Sequence, residues 1–363
     1  MIPNVSGSGK LWIPGETGTL YKEHSELLSQ QIQQNTEYKE HAHTHALAAR
    51  KINMATTTIL DTIGNTALLE LRHVRPSNGS RVFVKLESQN PTGSMKDRMA
   101  LAMIEAAEAD GRLKPGGAVV EYTGGSTGVS LALICNAKKH PLHLVTSDAF
   151  SKEKLDHMRL LGANLTILPS ENGKQTEKLT KDMIREAHAI AERTGAFITA
   201  QMDNTDQLQA YVKLADEIWE QTGGTIDAFV QSVGSAASFR GTSEVLRQRN
   251  DRITCVAVEP AESAVLSGGL SGSHKIDGTG AGYVVPLWYD GVADQIERVS
   301  TEDAKAMAFR LAREEGIFCG TSTGANVTAT LRLAERMEPQ STIVTMMCDT
   351  GMKYLKAFSQ DLD

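Results

Sequence analysis

Little in the chain would tie it to nucleic acid, membrane or an oxidising compartment. Its 37 Lys and Arg residues are outnumbered by 44 Asp and Glu, giving a formal net charge of -7. The basic footprint of a nucleic-acid binder is missing, and the negative balance favours solubility. No run of about 18 apolar residues occurs, which excludes a transmembrane helix. The N-terminus lacks the basic stretch and continuous apolar core of a secretory signal. Four cysteines, Cys135, Cys255, Cys319 and Cys348, are far apart and form no CxxC pair. That spacing argues against a zinc site and a disulfide framework, and a reducing, cytoplasmic compartment is expected. No internal repeat is visible.

What is present is an ordinary globular composition: 363 residues, 40% hydrophobic and 22% charged. That length fits two domains. Residues 1–54 stand apart, being polar and poor in large aliphatics. They are expected to be a disordered or non-native extension. His41, His43 and His45 lie in it, but no carboxylate or thiol of matching spacing accompanies them, so no metal site is assigned.

Downstream, short aliphatic runs alternate with stretches of helical period. Strands are expected at 82–86, 119–122, 142–146, 165–168, 228–233, 253–258 and 342–347. Helices are expected at 97–109, 127–139, 151–161, 176–193, 207–221, 239–249, 302–315 and 325–337. Gly111, Gly162, Gly195 and Gly316 close several of them. The alternation predicts two α/β domains, each an open parallel sheet flanked by helices: residues 55–200 and 201–363. Ligands of such folds sit on the loops that follow the carboxyl ends of strands.

Those loops carry the chemistry. Asn90-Pro91-Thr92-Gly93-Ser94-Met95-Lys96-Asp97-Arg98 places a lysine where a helix begins. The helix dipole disfavours a cation there, and with burial it would lower the amine's pKa, as a Schiff-base lysine needs. An exposed lysine capping a loop is the alternative. Thr123-Gly124-Gly125-Ser126-Thr127-Gly128 offers free N–H groups for a carboxylate or, equally, a phosphate; a plain tight turn would look the same. Gly234-Ser235-Ala236-Ala237-Ser238 lets backbone approach a phosphate. Gly320-Thr321-Ser322-Thr323-Gly324-Ala325 could be a capped helix and no more. His274 to Tyr283 form a glycine-dense loop without the strand-turn-helix context of a dinucleotide site, and no Walker lysine is present.

Together and in this order, the motifs resemble the fold-type II pyridoxal-phosphate enzymes, tryptophan synthase β-like in fold. Within them the chain resembles the cysteine synthase and cystathionine β-synthase branch. The resemblance spans residues 59–358, opening at Ile63-Gly64-Asn65-Thr66-Ala67-Leu68 and including Ala200-Gln201-Met202-Asp203-Asn204. It implies pyridoxal 5′-phosphate held as a Schiff base on Lys96, which also serves as acid and base. It implies that Thr123, Gly124, Ser126, Thr127 and Gln201 hold the substrate's α-carboxylate. Gly234, Ser235, Ala236, Ala237 and Ser238 would cradle the phosphate, and Ser322 would bond the pyridine nitrogen. Ser126 would touch the cofactor's phenolic oxygen, and Gly278 would line the mouth of the site.

Three departures stand out. The family's carboxylate loop reads TSGNTG, with asparagine where this chain has Ser126. Its phosphate loop reads GTGGT, with glycines where Ala236 and Ala237 stand. Ala215 also replaces a glycine.

The implied reaction is β-replacement on an O-activated L-serine, such as O-acetylserine, by sulfide or another thiol. A serine at the pyridine nitrogen suits β-elimination chemistry, because the electron sink is tuned by its nitrogen partner. The alternatives are release of the eliminated product, as in a cysteine desulfhydrase or serine dehydratase, and a catalytically weak paralogue that binds a partner protein. A nucleotide-binding α/β protein falls below both. A thiolate-ligated haem is not expected, since the extension holds no cysteine. Small-molecule partners and a homodimer are what the resemblance implies.

Overall fold

The computed structural model describes residues 57–173 and 176–360. The extension over residues 1–54, with His41, His43 and His45, lies outside the described residues. Two sheets organise the rest. The larger takes the order β1-β2-β10-β7-β8-β9, from β1 (Leu68–Glu70), β2 (Arg81–Leu86), β7 (Ala228–Ser232), β8 (Thr254–Pro260), β9 (Gln295–Val299) and β10 (Thr342–Met347). Only β1 runs antiparallel to its neighbour. The smaller sheet takes the order β5-β4-β3-β6, all parallel. It is built from β3 (Val119–Tyr122), β4 (Leu142–Ser147), β5 (Asn164–Leu168) and β6 (Phe197–Ile198).

Central strands of parallel sheets are covered on both faces, so they read as unbroken apolar runs. β7 and β10 are buried at every position. Full burial of a side chain such as Phe229, which is completely inaccessible, stabilises by roughly 1.5–3 kcal/mol. The helices are α1 (Lys96–Ala109), α2 (Ser126–Lys138), α3 (Lys152–Leu160), α4 (Glu177–Thr194), α5 (Leu208–Gln221), α6 (Ala237–Arg249), α7 (Thr301–Arg310), α8 (Thr321–Ala334) and α9 (Leu355–Ser359). Side-chain oxygens of Ser151, Thr176 and Ser300 cap α3, α4 and α7. Gly195 closes α4 at φ 69°.

The described residues from Thr58 onward form one compact unit. β1 and β2 precede residue 200 in the chain, yet β2 pairs along its whole length with β10, Arg81 opposite Thr342 through Leu86 opposite Met347. The carboxyl ends of β2, β10 and β7 therefore lie side by side. The loops leaving them lead to Lys96, to Cys348 and to Gly234.

Candidate active site

The lysine motif is held by its own polar side chains. Asp97 takes the Thr92 N–H at 2.8 Å and the Thr92 hydroxyl at 2.6 Å, which folds the loop back onto the start of α1. Asn90 donates to Glu87 at 2.9 Å and accepts from the Gly64 N–H at 2.8 Å. Arg98 forms 2.7 Å ion pairs with Glu87 and with Glu217, and Lys85 pairs with Glu217 at 2.7 Å. Against the burial that would raise it, Glu217 is held down to about 2 by Arg98 and Lys85. Ile63 to Leu68 are drawn into the same network, since the Asn65 N–H and Thr66 hydroxyl donate to Glu217 and Glu87. Lys96 differs. Its ammonium group has no hydrogen-bond or ion-pair partner among the described residues, and burial pushes its pKa down against the pull of Cys348 and Asp349. Burial thus shifts this amine towards the neutral form that a nucleophilic lysine needs.

The other predicted residues converge on it. The Met95 N–H donates to the Cys348 carbonyl at 2.9 Å, and Ser94 pairs with Asp349, so the turn after β10 abuts the lysine loop. Ser322, in the first turn of α8, shares a hydrogen bond with the Cys348 thiol, which burial raises to about 11 and keeps neutral. Ser126 and Thr127 open α2. The Thr127 hydroxyl donates to Gln201 Oε1 at 2.7 Å. Thr123 accepts the Gly125 N–H at 3.2 Å and shapes the turn.

Across the site, no protein acceptor among the described residues takes the N–H groups of Gly234, Ser235 or Ala236, which lead into the start of α6. Unpaired N–H groups at a helix start suit an anion. A Cβ at Gly234 would come within 2.5 Å of the Gly278 carbonyl, so glycine there lets the His274–Tyr283 loop close over the cradle. The Ser235 hydroxyl reaches Gln207 at 3.3 Å, and Gln207 donates to the Gln201 carbonyl at 2.8 Å, linking the two loops. Ser238 is engaged with Gln231 at 2.7 Å.

Four residues that the sequence motifs do not single out belong here: Asp349, Lys353, Lys154 and Glu121. Asp349 is buried, which raises its pKa. Its Oδ2 accepts from Tyr354 at 2.7 Å and from Ser126 at 3.4 Å, and its Oδ1 has no partner. Lys353 Nζ donates to the Ser126 hydroxyl at 3.0 Å. Where the family pattern has an asparagine amide, this chain has a hydroxyl backed by an ammonium. Lys154 pairs with Asp277 at 2.7 Å and lies 4.7 Å from the centre of the Tyr354 ring. Glu121 supports Gln201 from within β3. Asp349 and Lys353 follow a strand end, where the fold rule directs attention, whereas Lys154 and Glu121 carry no motif.

Two largely parallel sheets flanked by helices, with the Lys96 and Gly234 loops leaving β2 and β7 of the same sheet, define an α/β enzyme of the fold-type II kind. The family described as pyridoxal-phosphate dependent enzyme matches residues 59–349, and the chain belongs to that family. It is 40% identical over 300 residues to a probable cysteine synthase of Bacillus subtilis, covering 81% of this chain and 94% of that protein. In structure it is similar to O-acetylserine sulfhydrylase isoform 3 of Entamoeba histolytica, with TM-score 0.79, 37% identity and coverage of 84% and 91% of the two chains. It is also similar to an O-acetylserine-dependent cystathionine β-synthase of Helicobacter pylori, with TM-score 0.77, 32% identity and coverage of 84% and 98%. Pyridoxal 5′-phosphate is the cofactor, and the unpaired Lys96 amine and the three free N–H groups at α6 fit it. The two alanines leave those N–H groups in place. No helix among the described residues is long and apolar enough to cross a membrane.

Proposed function

We propose that the protein makes cysteine from O-acetylserine and sulfide by β-replacement. The observation that carries this reading is the Lys96 amine, the one polar side chain of its loop left unpaired, set between an anion cradle and a carboxylate-type loop. Gly234 to Ser238 would hold the cofactor's phosphate, Ser322 its ring nitrogen and Ser126 its phenolic oxygen. The N-terminal turn of α2, with Thr123, Gly124, Ser126 and Thr127, would take the substrate's α-carboxylate. Gln201 would complete that grip from the turn after β6, and Gly278 would line the mouth. When bound, the cofactor supplies the electron sink for the pair released at the substrate's α-carbon. Lys96, as the neutral amine, takes the α-proton and holds it. Acetate leaves the β-carbon and the sulfide nucleophile bonds there. Lys96 then returns its proton to the α-carbon. The Gly278 loop, over Gly234, would limit access of water to that carbon. The named relatives are synthases, so elimination to pyruvate and a partner-binding role are not favoured. A cytoplasmic homodimer goes with this reading.

The test is an absorbance spectrum of the purified protein before and after O-acetylserine, followed by product analysis with sulfide. A visible band that shifts with O-acetylserine, and cysteine as product, are the expected results. Lys96→Ala should lose both the band and turnover. Normal turnover in that variant would overturn the assignment, and pyruvate in place of cysteine would move the site to elimination.

A further inference from the structure

We infer that Glu121, a carboxylate built into the middle of the smaller sheet, is a positioning residue that sets Gln201 against the substrate loop. The inference rests on the reading that Gln201 helps hold the substrate's carboxylate.

β3 runs Val119-Val120-Glu121-Tyr122, and Glu121 is completely inaccessible to solvent. A parallel strand buried on both faces should be aliphatic there, because an isolated buried charge is costly. Burial raises the Glu121 pKa to about 7 against three hydrogen bonds that favour the carboxylate. Oε1 accepts from the Tyr122 N–H at 2.8 Å. Oε2 accepts from the Thr199 hydroxyl at 2.5 Å and from the Gln201 N–H at 3.0 Å.

The last two donors flank Ala200, which sits at φ 47°. That is the left-handed region, unfavourable for any residue with a Cβ. Nothing in an alanine side chain explains the conformation, so its surroundings impose it. Glu121 grips the backbone on one side of the strained residue and the hydroxyl on the other. From beyond it, the Asp203 and Asn204 N–H groups both donate to the Ala200 carbonyl at 2.9 Å. The result is the direction of Gln201. Its Oε1 accepts from Thr127 at 2.7 Å and its Nε2 donates to the Tyr122 carbonyl at 3.2 Å. Glu121 thus stands two hydrogen bonds from the loop at the start of α2.

A purely structural carboxylate would affect stability and leave substrate affinity alone. A positioning carboxylate acts on KM, and acts through Gln201. In the holoenzyme, Glu121→Gln keeps the shape but replaces an acceptor with a donor facing Thr199 and Gln201. KM for O-acetylserine should rise about tenfold, the scale of one lost hydrogen bond, with kcat and the cofactor's visible absorbance little changed. Thr199→Val, which removes one donor and leaves the carboxylate, should act in the same direction. Gln201→Ala should raise KM by at least as much. Adding Glu121→Gln to Gln201→Ala should then raise KM no further, since residues acting through one another are not additive. A second multiplicative loss in the double variant overturns the inference, as does an unchanged KM with a lowered thermal midpoint in Glu121→Gln. An unchanged KM in Gln201→Ala overturns it as well. If the unaltered enzyme proves inert towards O-acetylserine, the proposed reaction fails by itself. The same four-way comparison then runs on the L-serine concentration that half-shifts the cofactor's absorbance.

Discussion

Ala236 holds the N-cap position of α6 at φ 69°, in the left-handed region, with its methyl group buried. Three effects of about the same size meet there. The Cβ in that conformation costs roughly 1–2 kcal/mol. Its burial returns about 0.8 kcal/mol, and the narrower unfolded ensemble of alanine relative to glycine returns about 0.4–1 kcal/mol more. The sum is near zero, which explains how alanine survives where the family pattern has glycine. Ala236→Gly should therefore leave the thermal midpoint within about 2 °C, under 1 kcal/mol for a chain of this size. Ala236→Val is different, because a β-branched side chain at positive φ is a genuine outlier. It should cost more than about 2 kcal/mol and weaken retention of the cofactor by the adjacent N–H groups. Thermal scans with and without added cofactor check both variants, and a valine variant as stable as the parent would show that the strain is not real. Ser126 makes the same point about scale. The sequence showed a shorter side chain than asparagine, but Lys353, more than two hundred positions away, supplies the ammonium behind it. No local pattern announces such a partner.

At the scale of elements, the chain is legible where its own side chains decide the structure. β3 and β10 fall on their expected residues because aliphatic runs bounded by turns leave no choice. β1, β6 and β9 were not anticipated. Each lies at the edge of a sheet and takes its conformation from one neighbour instead of its own pattern. The helix expected at 302–315 is α-helical to Arg310 and widens into a π turn over Leu311–Glu315 before Gly316 ends it. The helix expected from 325 begins at Thr321, so the small hydroxyl residues read as a loop are its first turn and carry Ser322. The reason is a crossing that sequence does not display. A Cβ at Gly324 would stand 1.8 Å from the Ala304 carbonyl oxygen and 2.9 Å from the Ala308 nitrogen, both on α7. Backbone lies against backbone there, so no side-chain rotation relieves a substitution. Gly324→Ala should push α7 and α8 apart at a cost of about 1–3 kcal/mol, the usual range for overpacking. Because Ser322 is two residues away, the variant should also hold the cofactor less tightly. Thermal midpoint and cofactor titration measure the two effects, and an unshifted midpoint would mean the helices do not pack this closely.

At the scale of the whole molecule, the site is assembled from loops of two sheets, and the Lys154–Asp277 pair is one of the bonds between them. Lys154 comes from α3, beside the smaller sheet. Asp277 comes from the loop that closes over the cradle of the larger one. Their 2.7 Å ion pair joins the two sides, with the Lys154 side chain 12% and the Asp277 side chain 47% exposed. An ion pair with one partner half in water is worth about 1 kcal/mol or less, too little to matter for folding. That same energy is enough to hold one loop in place, since about 1 kcal/mol is roughly a fivefold shift between closed and open positions. Asp277→Asn should therefore leave the thermal midpoint within about 2 °C while raising KM for O-acetylserine by up to about fivefold. Salt supplies the control. At about 1 M the screening length falls to roughly 3 Å, so the parent's KM should climb towards that of the variant, and the variant's own KM should move little. A KM indifferent to both the substitution and the salt would place the closure of the mouth elsewhere. A large fall in the midpoint would make the pair part of the fold's support and not a clasp on its substrate.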